Sequence, residues 1–70
     1  MDSETPFDPE THAALLENQR QRVVVSRRLL AAYKARDMMA VDAAQAALTA
    51  LHAEAVEIQC AGLRRAQGAA

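Results

Sequence analysis

The sequence predicts an all-α protein, an antiparallel two-helix hairpin of coiled-coil type with a disordered N-terminal arm. Three observations carry this. Val41, Ala44, Leu48, Leu51, Ala55 and Ile58 recur at alternating steps of three and four, which lays one apolar stripe along one side of a helix. The composition has two Gly, two Pro, one Phe, one Tyr and no Trp, with alanine the commonest residue, so it favours helix over sheet. Two helix-starting aspartates, Asp8 and Asp37, divide the chain into two helical stretches.

In chain order, residues 1–8 read as a disordered acidic arm interrupted by Pro6. Asp8 caps the next segment, Pro9 suits the first helical position, and Glu10 complements the positive end of the dipole. Phe7 is placed to pack back on the first turn. Helix one is expected over 9–36. Within it Leu16, Val23 and Leu30 repeat every seven residues, with Gln19, Ser26 and Tyr33 between them. That seam predicts its next member at 37, but the second stripe starts at Val41, so its phase jumps across 36–39. The jump and the Asp37 cap place a turn there without Gly or Pro. One continuous helix with a stutter, forming a rod, is the rival reading. Helix two is expected over 38–66, with Arg64 and Arg65 at its negative end, Gly68 as its stop and 67–70 as a tail.

Folded antiparallel with facing numbers summing to 74, the hairpin seam joins Leu16, Val23, Leu30 and Tyr33 to Val41, Leu48, Leu51 and Ile58. Large residues then meet small ones, as in Leu30 on Ala44, which lets the helices come close. On one flank Arg22 faces Glu54. A second apolar strip remains: Leu15, Val25, Leu29 and Ala32 with Ala43, Ala47 and Ala50. It is the expected partner surface. Seventy residues make a small core, so two hairpins pairing into a four-helix bundle, a homodimer, is the expected use of that strip. A helical segment of another protein is the alternative occupant.

The chemistry-bearing residues are sparse. Cys60 is the only cysteine, which excludes an intrachain disulfide and suits a reducing, cytoplasmic setting. The N-terminus lacks the apolar region of a secretory signal, and no run approaches the ~20 apolar residues of a membrane span. His12, His52 and Cys60 lack metal-ligand spacing, and no glycine-rich loop is present to cradle a phosphate, so no metal, cofactor or catalytic residue is expected. The charges are segregated. Bases Arg20, Arg22, Arg27, Arg28, Lys34 and Arg36 crowd helix one, while residues 37–63 carry only the acids Asp37, Asp42, Glu54 and Glu57. Arg20, Arg27, Arg28 and Lys34 could contact phosphates of a nucleic acid. The net charge of −1 and the lack of stacking aromatics argue against that use.

In size, two-helix plan and acidic start, the chain resembles small helical-hairpin co-chaperones of bacterial type III and flagellar export. The resemblance covers architecture and no signature residue. It implies a hairpin that shields an aggregation-prone helical subunit until assembly. The expectation from the residues themselves is a small non-enzymatic adaptor acting by helix–helix packing and self-association.

Overall fold

The structure, a computed structural model, describes residues 7–69. Two helices, α1 (Pro9–Ala35) and α2 (Met38–Ala69), pack against each other along their lengths, and the described residues contain no strand. The expected arm therefore falls largely outside the described residues, which begin at Phe7.

Local chemistry explains where the helices start and stop. Asp8 is extended, and its Oδ1 accepts from the Thr11 backbone N–H at 3.1 Å, with Pro9 following as the first helical residue. At the other end of α1, Arg36 adopts a left-handed conformation with φ 58° and ψ 35°. Its N–H donates to the Tyr33 carbonyl and that of Asp37 to the Ala32 carbonyl, both at 3.0 Å. This paired closure usually uses glycine at the left-handed position, so arginine there carries a steric cost. Asp37 then caps α2, its Oδ1 accepting from the Ala40 N–H at 3.2 Å. The reversal thus needs only Arg36 and Asp37. α2 runs on through Gly68 to Ala69, past the end expected near Ala66, because a lone glycine costs an exposed helix only ~1 kcal/mol.

The interhelical core is narrow. Val25 and Ala32 of α1 and Val41, Ala44 and Ala55 of α2 are its buried apolar residues, and Val41 is 2% exposed. Leu48, Leu51 and Ile58 lie half-buried beside them. On α1 the contact runs through Thr11, Leu15, Asn18, Arg22, Val25, Leu29 and Ala32, all buried or half-buried. This corrects the expected seam: Leu16, Val23, Leu30 and Tyr33 are exposed, at 46%, 44%, 56% and 51%. It equally corrects the expected partner surface, since Leu15, Val25, Leu29 and Ala32 are used up inside the hairpin. Ala47 is half-buried at its edge, and Ala43 and Ala50 remain exposed.

The physical reason is a rotation of α1 by about one residue, roughly 100° about its axis. Two polar groups favour it. Asn18, 3% exposed, donates from Nδ2 to the Leu51 carbonyl at 2.9 Å and to Glu54 Oε1 at 3.1 Å. Its Oδ1 accepts from Arg22 Nε at 2.7 Å. Arg22 and Glu54, expected to face each other, are therefore joined through Asn18. Thr11, 1% exposed, lies against Gly62, and its hydroxyl accepts from Arg65. A Cβ at Gly62 would stand 2.7 Å from Thr11 Cγ2 and 2.8 Å from Phe7 Cδ1, so the open end closes tightly only because position 62 has no side chain. Phe7 reaches across to α2 there.

Candidate partner-binding face

The rotation of α1 leaves its most regular apolar stripe, Leu16, Val23 and Leu30, outside the interhelical core and exposed along one side of the hairpin. Helical spacing puts a base one turn beyond each member: Arg20 after Leu16, Arg27 after Val23, Lys34 after Leu30. The side chains thus form a ladder of alternating apolar and cationic groups along the outer side of α1. Beside it, a shallow groove runs between the helices. Gln19, Val23, Ser26 and Leu30 line one bank, Leu48 and His52 the other. It continues towards the open end past His12, Leu16 and Gln59. Val56 and Leu63, each one turn beyond His52 and Gln59 on α2, extend the same side and are 56% and 41% exposed. At the turn end, Gln45 Nε2 donates to the Tyr33 hydroxyl at 3.1 Å and holds that ring at the groove's edge.

The opposite face is different. Its depression is lined by Val25, Arg28, Ala40, Ala43, Ala44 and Ala47, four of them alanines. The expected partner residues Ala43 and Ala47 lie here, separated from the exposed leucines.

The electrostatics follow the sequence blocks. Arg20 lies 3.8 Å from Glu17 in an exposed pair, worth at most ~1 kcal/mol. Among the described residues Arg27, Arg28 and Lys34 have no carboxylate partner within ion-pair distance. Arg28 sits by the alanine-lined depression, apart from the Arg20, Arg27 and Lys34 ladder. At the open end Arg65 approaches Asp8 at 3.5 Å. Hydrogen bonds from the Thr11 side chain and backbone, with the Arg65 charge adding to them, hold the Asp8 carboxyl below its ordinary pKa.

His12 and His52 lie on adjoining segments of the groove, and Cys60 is exposed on α2. Among the described residues no three His, Cys, Asp or Glu side chains converge as a metal cluster would require. Among the described residues no helix is long and apolar enough to cross a membrane.

Asn18 and Thr11 are the residues that sequence reasoning passed over. Positions 11, 15, 18, 22, 25, 29 and 32 step by four and three throughout, the same alternation that marks α2. The signal was present but masked by two polar members and one arginine. No family model, curated protein or solved structure matches the chain.

Proposed function

We propose that this protein is a small non-enzymatic interaction module that works by helix–helix packing, self-association included. Its working surface is the face bearing Leu16, Val23, Leu30, Val56 and Leu63. One observation carries the reading: a hairpin only 13 Å thick between Cα atoms, a single layer of helices, exposes a heptad-spaced apolar stripe on one broad side. Stable domains close their apolar faces with a second layer, and this chain supplies one. Shielding a helical subunit before assembly, as an export-type co-chaperone would, is one form that such packing takes.

Light scattering behind a sizing column, over a dilution series, tests the module. Leu30→Glu places a charge in the stripe and is expected to shift the protein to monomer mass. Arg28→Glu, on the alanine-lined side, is expected to leave the mass unchanged. Equal behaviour of the two variants would defeat the assignment of the face.

A second reading has its own support. The unpaired Arg27, Arg28 and Lys34, with Arg20, are available to phosphate oxygens of a nucleic acid. Such binding would weaken steeply with salt. A lack of retention on duplex DNA or RNA at low salt would exclude it.

A further inference from the structure

We infer that the occupant of this face is a second copy of the same chain, laid so that α1 of one copy covers α2 of the other and both turns lie at the same end. The inference rests on the functional reading above and adds the arrangement to it.

The dimensions suit a pair. The broad side measures 51 by 21 Å between Cα atoms, about 1,000 Å² in projection, against the ~800 Å² that each partner contributes to a standard interface. A closed pair of identical chains has a two-fold axis. Two hairpins stacked face to face admit two such axes in the plane between them. An axis across the helices sets α1 on the second copy's α1, and brings Arg20, Arg27 and Lys34 against the same three cations. An axis along the helices sets α1 on the second copy's α2. On the groove side that helix carries Asp42, and from Met38 to Leu63 it holds no lysine or arginine. Charge therefore selects the second axis, because like-charge apposition opposes association and opposite charge favours it.

Levels along the axis agree with this choice. Within the hairpin Thr11 is level with Gly62, and Asn18 with the Leu51–Glu54 turn, so facing numbers sum to about 70–73. An axis parallel to the helices preserves those levels between copies. Leu16 then comes level with Val56 of the second copy. Val23 and Leu30 come level with its alanine-rich segment around 43–53, where small side chains admit large ones at short interaxial distance. Lys34 falls within one turn of Asp42. Each contact occurs twice by symmetry, and each helix then has an antiparallel neighbour in its own chain and in the other.

The test is a distance between turns. Met39, 84% exposed at the start of α2, takes a spin label as Met39→Cys on a Cys60→Ser background. Pulsed dipolar spectroscopy and light scattering are run on the same samples. The inference expects a dimer whose two labels lie within about 20 Å, or two helix diameters. A dimer with labels separated by roughly the 51 Å length of the hairpin would overturn the arrangement and leave the interaction module standing. A monomer at every concentration would overturn both the arrangement and self-association.

Discussion

Helix α1 carries two stripes one residue apart in phase. The inner one, Thr11–Leu15–Asn18–Arg22–Val25–Leu29–Ala32, includes two buried polar residues and an arginine, and it holds the hairpin together. The outer one, Leu16–Val23–Leu30, is apolar throughout, and it stays exposed along one side of the hairpin. By regularity of spacing and freedom from polar members the outer stripe would be the better core. What favours the inner one is fit to α2. Its polar members find partners on that helix, and its small members at the two ends, Thr11 against Gly62 and Ala32 by the turn, allow close approach. A core position is chosen by complementarity to the opposing surface as well as by hydrophobicity, and the stripe left over is free for another surface.

The largest test of this contrast is the same charge placed on each stripe. Val25→Asp forces a carboxylate into the apolar interhelical core, and a cost of about 3 kcal/mol or more should abolish helical circular dichroism at every concentration. Leu30→Asp should remove only the concentration-dependent part of the helicity. Matching losses would erase the distinction between the stripes.

This outcome also bears on what the sequence could tell. The two-helix plan, the caps at Asp8 and Asp37 and the α2 stripe were legible, because each depends on chemistry within a few residues. The rotation of α1 was not, because its polar anchors bond to α2 atoms more than thirty residues away: Asn18 to Leu51 and Glu54, and Thr11 to Arg65. Searching for large apolar residues at seven-residue spacing finds Leu16, Val23 and Leu30 first and so mistakes the outward stripe for the core. The surface assigned to a partner was misplaced by the same one-residue error.

Gly62→Ala sharpens the account of the open end. The added methyl must displace Thr11 or Phe7, and overpacking of this kind costs about 1–3 kcal/mol, read as a lower urea midpoint. The same change at Gly68, where a Cβ meets nothing within 4 Å, should stabilise by up to about 1 kcal/mol. Asn18→Ala should cost about 1–2 kcal/mol through its lost hydrogen bonds. It should also speed amide exchange along both helices, since the bond that favours the present rotation is gone.

Two smaller effects lie at the caps. Arg36→Gly relieves the left-handed residue and should stabilise by about 0.5–1 kcal/mol in the same urea titration. Asp8 gives a pH signature. Its pKa is lower folded than unfolded, so its contribution is present above the ordinary aspartate range and is lost as pH falls through the folded value. Below about pH 4 the wild type should lose stability in a step that Asp8→Asn lacks. Identical acid titrations of the two proteins would remove the Asp8–Thr11–Arg65 cluster from the account.

The most direct test of the central claim is the rate of thiol alkylation at single cysteines replacing Leu16, Val25 and Leu30, each on a Cys60→Ser background. In dilute protein the account predicts fast reaction at 16 and 30 and slow reaction at 25, with 16 and 30 slowing as concentration rises. Fast reaction at 25 with slow reaction at 16 and 30 in dilute protein would mean that α1 turns its heptad stripe inward, and would contradict the assignment of both stripes.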